Sequence, residues 1–473
     1  MKLIHRSYTL KAKSSLVKQN RQRFRIRSSQ LIPLSFLGAI LVGTLLLLLP
    51  CAKAGEGSAD LTTAFFTSTT SVCVTGLVVV DTFAYWTLFG KIVILLLIQI
   101  GGLGIISITS ILMLMLHKKF SLSQSLLLQD SFNLQTLSGV LHFLSVVIRG
   151  TIMVELFGTL LYTFAFVPQY GAIGIWYSFF NSISAFCNAG IDILGPDSLI
   201  SYQSNPYVLI VTMFLIIMGG LGYVVWLDTF RTVRTGIRRK YSPATVIKHF
   251  SEHTKLVLML TISLILLGAI FVFITEHDNP ATMGEMGLGD KIVNSTFQSV
   301  TFRTAGFAAV PQDGLRESTC FLGSIFMFIG GSPVGTAGGV KTVTFFVMML
   351  NAVSFIRNRK ENVVFGRRVT PEMMHKASAI VIIGFLVTAV LLLLLMNVSD
   401  VSLTDGMYET FSATATVGLS RSLTPTLNLA GKWIIIVAMY LGRIGPISMA
   451  LFFNYNTENK NKVSYAKGNF FIG

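Results

Sequence analysis

The apolar residues of the chain fall in long blocks separated by short polar stretches. A helix needs about 20 apolar residues, at 1.5 Å each, to cross roughly 30 Å of hydrocarbon. Eight blocks meet that length: Leu31 to Leu49, Leu88 to Leu116, Leu141 to Phe166, Tyr207 to Leu227, Leu256 to Ile274, Cys320 to Phe355, Ala377 to Met396 and Lys432 to Phe453. The sixth is too long for one span and is broken in its middle by a Gly-rich stretch. The pattern therefore predicts an all-α polytopic membrane protein with eight transmembrane helices.

After every odd-numbered block comes a shorter segment rich in Ser, Thr and Phe, too polar to span and ending in a small-small-Gly-apolar tetrad. The tetrad glycines are Gly76, Gly190, Gly306 and Gly418, separated by 114, 116 and 112 residues. One such tetrad carries no information; four at nearly constant spacing indicate four copies of one unit. A second landmark repeats with them, a glycine cluster in the block that follows each tetrad: Gly101-Gly102-Leu103-Gly104, Gly219-Gly220-Leu221-Gly222, Gly330-Gly331 and Gly442-Arg443-Ile444-Gly445. It lies 25, 29, 24 and 24 residues after the tetrad glycine. Glycines on membrane helices commonly permit close packing, but that alone does not explain a repeated position.

The expected organisation is four tandem helix/pore-loop/helix units in a pseudo-fourfold arrangement. Pore unit 1 covers residues 31–117, unit 2 137–231, unit 3 254–357 and unit 4 376–454, with a basic N-terminal tail at 1–30 and a C-terminal tail at 455–473. Non-helical backbone at membrane depth is tolerated only where it is buried in protein or lines a water-filled path, so the four re-entrant segments should converge on one axis. A ring of main-chain carbonyls can replace the water around a dehydrating monovalent cation. Short helices such as Asp60 to Cys73 and Asp290 to Phe302 would aim their negative C-terminal ends at it. The expected lining is Val74, Thr75 and Gly76, with Asn188, Ala189 and Gly190, then Thr304, Ala305 and Gly306, then Thr416, Val417 and Gly418.

Composition agrees with a membrane chain. Hydrophobic residues make up 52% and charged residues only 12%, half the share of a soluble protein, and the mean hydropathy is +0.68. With 37 basic residues against 21 acidic ones, the net charge of +16 needs a membrane explanation, and its placement supplies one. Residues 1–30 carry nine Lys/Arg, the even-numbered connections add two, seven and six, and the C-terminal tail adds three, so that 27 of the 37 lie on one side. The positive-inside rule makes that side the cytoplasm, with both termini there in a plasma-membrane protein. Fourteen of the 21 acids, Glu276 and Glu409 among them, fall in the opposite loops, where they either concentrate cations or merely solvate the loops. A basic leader, an apolar core and Ala52-Lys53-Ala54 imitate a cleaved secretory signal, but the core is longer than usual and the fourfold repeat needs this helix.

The four unequal pore segments, with Thr416-Val417-Gly418 in the fourth and Arg303-Thr304-Ala305-Gly306-Phe307 in the third, resemble the Ktr/Trk/HKT superfamily of potassium and sodium transporters over residues 31–454. The resemblance is greatest to the membrane subunit of Ktr systems, because Trk subunits carry two extra spans before the first pore unit and none is seen here. It implies potassium uptake that is either passive or a sodium-linked symport, with K⁺ as the transported ion, Na⁺ as an activator and no covalent cofactor. It further implies a homodimer in membrane lipid, docked on a cytosolic ring of nucleotide-binding regulatory subunits. Within the superfamily a serine in place of the first filter glycine goes with sodium preference, and all four tetrads here keep glycine. The longer TVGYG of potassium channels is missing, which implies weaker selectivity.

The break in the sixth block holds Gly331, Ser332, Pro333, Gly335, Thr336, Gly338, Gly339 and Lys341, a run that cannot form a stable helix since Gly costs about 1 kcal/mol and Pro about 3 relative to Ala. It imitates a phosphate loop, but Val340 stands where that motif needs glycine before lysine. A loop just below a filter is a natural gate, and the superfamily resemblance supports that reading over a mere kink. Arg443, among apolar residues of the last block, is either an electrostatic barrier paired with this loop or a tie to backbone carbonyls. Lys341 either faces the pore or snorkels to the cytoplasm. Arg303 is expected to pair with a nearby acid and brace the third pore helix, whereas Arg149 and Glu155, six apart, have no assigned role. The seven His and four Cys show no catalytic or zinc pattern, which argues against an enzyme; a secondary transporter with a midplane site is the rival architecture.

Overall fold

The computed structural model of the chain describes residues 28–104, 140–358 and 361–445. Nearly all of the basic N-terminal tail, the ends of the expected second and eighth spans and the C-terminal tail lie outside the described residues. Sixteen α-helices are present among the described residues, and a long helix, a short helix and a further helix recur four times in order. The first set is α1 (Ser28–Leu47), α2 (Leu61–Cys73), the single turn α3 (Thr82–Tyr85) and α4 (Leu88–Leu103). The second is α5 (Val140–Tyr170), α6 (Ile173–Cys187), α7 (Pro206–Gly220) and α8 (Tyr223–Arg238), with α9 (Pro243–Lys248) as a connector. The third is α10 (Glu252–Glu276), α11 (Leu288–Thr301), α12 (Glu317–Phe328) and α13 (Thr342–Ile356). A two-stranded antiparallel hairpin, β1 (Val363–Val364) and β2 (Arg367–Arg368), leads to α14 (Pro371–Val398), α15 (Leu403–Thr414) and α16 (Leu429–Ile444).

Capping chemistry sets many of the starts. The Asp60 carboxylate accepts from the amides of Thr62 and Thr63 at the head of α2. Thr87, Asn205, Ser251, Thr370, Ser402 and Asn428 cap α4, α7, α10, α14, α15 and α16 in the same way, each side-chain oxygen satisfying an orphan donor.

The short helices α2, α6, α11 and α15 form the centre. Each packs on the long helix before it and on the post-tetrad helix of the preceding set: α4 on α6, α7 on α11, α12 on α15, and α16 back on α2. The contacts thus close into a cycle. The first of these seams is built the same way in three sets. Ser68, Ser182 and Ser299 donate to the carbonyls of Ile40, Glu155 and Ile265, and Gly43, Gly158 and Gly268, three residues further along, lie against the same hydroxyls. Small residues there let the backbones approach and the hydroxyls satisfy themselves without water.

The expected span Tyr207 to Leu227 is a correction. It breaks after Gly220, and α7 and α8 meet at 99°, so the sixth block is not alone in being interrupted. The last carbonyls of α7, on Gly219 and Gly220, accept amides of Thr336 and Ser332 from a distant loop, and with those acceptors occupied the helix need not continue. Among the described residues, three helices are long and apolar enough by themselves to cross a membrane, Phe143–Tyr170, Glu252–Glu276 and Pro371–Val398, or four with the bent pair. Pro33–Leu47, Leu88–Leu103, Glu317–Phe328 and Thr342–Ile356 are apolar but shorter.

Candidate functional site

At the C-terminal ends of the four short helices the chain turns in the same manner. Val74, Asn188, Thr304 and Thr416, the first residues of the tetrads, all have left-handed backbone, with φ of 55°, 60°, 65° and 52°. For β-branched Val and Thr this conformation is a genuine outlier, with a cost of about 1–3 kcal/mol per residue. It is held by the turn itself: the amides of Thr75, Ala189 and Val417 donate to the carbonyls of Thr70, Ser184 and Ser412, five residues back, at 2.8–2.9 Å.

The structure brings the four tetrads together edge to edge. A Cβ placed on Gly76 would stand 2.5 Å from the Ala189 carbonyl oxygen, one on Gly190 2.6 Å from that of Ala305, and one on Gly306 2.6 Å from that of Val417. Gly418 closes the ring against the Thr75 carbonyl. Every glycine therefore abuts the carbonyl of the residue preceding the next set's glycine, at a separation no side chain fits. The flanking side chains of Val74, Thr75, Asn188, Ala189, Thr304, Ala305, Thr416 and Val417 are all buried, leaving main-chain oxygens as the groups around the axis. Among the described residues, the hydroxyls of Thr75, Thr304 and Thr416 have no hydrogen-bond partner.

Side-chain hydroxyls brace this ring. Thr70 Oγ1 accepts from the Gly76 amide at 2.9 Å, Ser412 Oγ from Gly418 at 3.0 Å and Ser184 Oγ from Ile191 at 3.1 Å, while Thr301 Oγ1 donates to the Phe307 carbonyl at 2.7 Å. The sequence reading did not single these residues out. The signal was available, since Thr70, Ser184 and Ser412 each stand six residues before the tetrad glycine.

The glycine clusters explain their own position. Gly101, Gly219 and Gly442 lie directly against the carbonyls of Val72, Phe186 and Thr414, each four residues before a tetrad glycine. Gly330 instead lies against the carbonyl of Gly338. In three of the four sets close approach to a short helix's last carbonyls thus accounts for the glycine.

On one side of the ring opens a cavity of about 250 Å³, lined by the four tetrad glycines and by Asp81, Asp192 and Gln312 among others. Burial pushes the Asp192 carboxyl up to about 6, opposed by hydrogen bonds from the Leu194 amide and Ser198 hydroxyl and reinforced by the Asp81 carboxylate. Two other acids of the outer loops depart from both expected roles. Glu276 is fully buried, accepting from Asn279 Nδ2 at 2.6 Å, Thr282 Oγ1 at 2.7 Å and the Arg316 amide at 3.0 Å. Glu409, also buried, accepts from Ser420 and Thr424. They neither solvate a loop nor face the cavity; satisfied buried carboxylates tie backbone segments together.

On the other side lies the interrupted segment between α12 and α13. The Gly330 amide donates to Val340 and the Val340 amide to Phe328, closing it into a loop. The carbonyl of Gly331 accepts from Thr342 and the Ser332 amide reaches Gly220; the Pro333 carbonyl lies against Gly222, and Gly335 against the Gly219 carbonyl. Thr336 Oγ1 donates to Asn188 Oδ1 at 2.8 Å, Gly338 sits against the Thr416 hydroxyl, and Gly339 folds back on Gly330. The loop thus touches the tetrads of two sets.

Arg443 combines features of its two expected roles, since it ties to backbone carbonyls and one of them belongs to the loop: Nη1 donates to the Thr336 oxygen at 2.7 Å and Nη2 to that of Gly101 at 2.5 Å. Lys341 donates to the Ala337 oxygen at 2.6 Å inside the same loop. Arg303 is a correction: it is buried, its Nε is without a partner, and no acid pairs with it among the described residues. Glu155, unassigned from sequence, accepts from Gln99 Nε2 at 3.0 and 3.2 Å behind α6.

Comparison with known proteins gives concordant results. The family model described as "TrkH: Cation transport protein" matches residues 7–465. Ktr system potassium uptake protein B of Bacillus subtilis is 37% identical over 450 residues, 95% of this chain and 97% of that protein. The potassium/sodium uptake protein NtpJ of Enterococcus hirae is 33% identical over 92% of this chain and 94% of its own length. The crystal structure of the potassium transporter TrkH from Vibrio parahaemolyticus superposes with a TM-score of 0.72 at 15% identity, over 92% of this chain and 86% of that one, a likeness of fold.

Proposed function

The chain belongs to the TrkH family of cation transport proteins, multi-pass membrane transporters and not enzymes, and from that premise we propose that it admits potassium through one channel-like path lined by main-chain oxygens. The observation that carries this reading is the closed cycle in which Gly76, Gly190, Gly306 and Gly418 each abut a carbonyl of the next tetrad. Such a ring offers a dehydrating monovalent cation oxygens in place of water. Potassium is the cargo that the names of the Ktr relatives state.

Val74 to Gly76, Asn188 to Gly190, Thr304 to Gly306 and Thr416 to Gly418 form the selectivity filter of four pseudo-fourfold pore units with eight spans. The loop from Gly331 to Lys341 is the gate beneath it, and Arg443 sets a positive charge against that loop. Uptake is sodium-dependent, and the protein works as a homodimer in the plasma membrane, its termini cytoplasmic, on a cytosolic nucleotide-binding ring as in Ktr systems. The test is ⁸⁶Rb⁺ uptake into K⁺-loaded proteoliposomes with and without Na⁺. Saturable uptake that K⁺ inhibits and Na⁺ accelerates is expected; absence of any cation-dependent uptake overturns the reading.

The outer cavity adds a pH prediction. Asp192 is raised to about 6, so its carboxyl is ionised at neutral pH and gains a proton as pH falls through that value, removing a negative charge that draws cations toward the ring. Uptake at low K⁺ is expected to fall about two- to threefold between pH 7 and 5, an electrostatic focusing effect. It should fade at high salt and vanish in Asp192→Asn; an unchanged pH profile in that variant sinks the assignment.

A further inference from the structure

At the elbow where α7 turns into α8 lies an apolar groove of about 550 Å³ between α5, the elbow and α10, a volume typical of small-molecule sites. Trp226, Phe230 and Met153 line it, and among the described residues of its wall Arg149 alone is charged. Arg149 projects from a helix apolar enough to span a membrane. It is exposed, and has no ion pair or hydrogen-bond partner among the described residues. A cation on the lipid-facing side of a spanning helix calls for a counter-charge.

The α8 helix supplies the setting. Its turn of 99° from α7 carries it away from the spanning direction. Trp226, Phe230, Val233 and Ile237 recur at helical spacing along one stripe, the last three exposed, and Arg231, Arg234 and Arg238 form a second exposed stripe beside it. An apolar stripe flanked by arginines is the pattern of a helix lying in the membrane interface among headgroups.

We propose that this groove is a binding site for an anionic phospholipid, with one acyl chain along Trp226 and Phe230 and the phosphate group meeting Arg149 beside the arginine stripe of α8. A zwitterionic lipid fills the groove equally well but leaves the Arg149 guanidinium without a net counter-charge, so the site prefers net negative headgroups. The elbow also holds the gating loop, through Ser332 and Thr336 amides on Gly220 and Gly219 and the Tyr223 amide on the Val334 carbonyl. Occupancy therefore bears on transport, a consequence that rests on the gating reading, whereas binding itself does not.

Trp226 makes the site readable. The full chain is reconstituted in phosphatidylcholine vesicles containing increasing fractions of either dibrominated phosphatidylglycerol or dibrominated phosphatidylcholine, whose bromines quench tryptophan on contact. The Trp226 signal is the difference between the native protein and Trp226→Phe. Brominated phosphatidylglycerol is expected to half-quench it at about fivefold lower mole fraction, the preference that one interfacial basic residue confers. Arg149→Gln should remove that preference and Arg149→Lys keep it, with unchanged far-ultraviolet circular dichroism showing that the native protein and each variant are folded in the vesicles. Equal quenching by the two lipids in the native protein, or an intact preference in Arg149→Gln, overturns the proposal. So does the lack of quenching by either lipid, which means that protein and not lipid fills the groove. The quenching does not depend on transport, so a failed uptake assay leaves it interpretable.

Discussion

Gly76→Ser is expected to lower the ratio of potassium to sodium uptake by about tenfold or more, a change of about 1.4 kcal/mol in the relative energies of the two ions. Gly76 has φ +104°, and a Cβ there meets the Ala189 carbonyl oxygen at 2.5 Å and the Cα atoms of Gly418 and Gly190 at 3.1 and 3.3 Å. The residue cannot retreat, because its amide is bonded to Thr70 Oγ1 at 2.9 Å. Backbone must shift, and what shifts is the ring of carbonyls, while the serine hydroxyl adds an oxygen where none stood. Paired ⁸⁶Rb⁺ and ²²Na⁺ uptake in one preparation separates selectivity from rate. Gly38→Ala, at a position with nothing within 4 Å of a new Cβ, should leave the ratio unchanged. If Gly76→Ser slows both ions equally, the ring is structural and not a filter.

Deleting Ser332 to Gly339 is expected to raise potassium flux by about tenfold or more, equivalent to lowering a barrier by about 1.4 kcal/mol. The deletion removes the segment whose Thr336 bonds Asn188 and whose Gly338 abuts Thr416, directly beneath two of the four tetrads. It also removes one of the two carbonyls that hold Arg443. Because the loop supports the α7 end as well, Arg443→Gln serves as a milder companion. Two unit charges 4 Å apart repel by about 4 kcal/mol at an effective dielectric of 20, so loss of the guanidinium charge should increase flux even with the loop intact, and Arg443→Lys should not. Regulated, native-level transport in both the deletion and Arg443→Gln is the outcome that refutes gating.

Much of this site could be read along the chain because its devices are local and repeated. The tetrads announce themselves by spacing, and so do the glycine clusters, three of which meet the carbonyls of Val72, Phe186 and Thr414. The superfamily resemblance drawn from those tetrads is borne out by a family match over residues 7–465. What escaped was non-local. The 99° break after Gly220 depends on acceptors being taken by amides more than a hundred residues later. Within Tyr207 to Leu227 the glycines at 219, 220 and 222 permit a break but suit a closely packed continuous span equally well. Left-handed backbone is the ordinary province of glycine, yet Val74, Thr304 and Thr416 adopt it too, a strain that only the assembled ring sustains. Charge in a loop reads as solvation or ion attraction, whereas burial of Glu276 and Glu409 behind hydroxyl and amide donors is a property of packing that composition does not encode.

Arg443 has a mechanical meaning as well as a charge. Its two nitrogens grip Gly101 of the first helix set and Thr336 of the third, which are not neighbours in the cycle of contacts described above. Arg443 itself stands on α16 of the fourth set, so one side chain latches three of the four sets together. Separating the first set from the third must break one grip, at roughly 1.5–3 kcal/mol for a hydrogen bond to a charged group, a bias of about ten- to a hundredfold toward the closed arrangement. Withdrawal of the fourth set strains both grips at once, so the three sets are predisposed to move as one body and not singly.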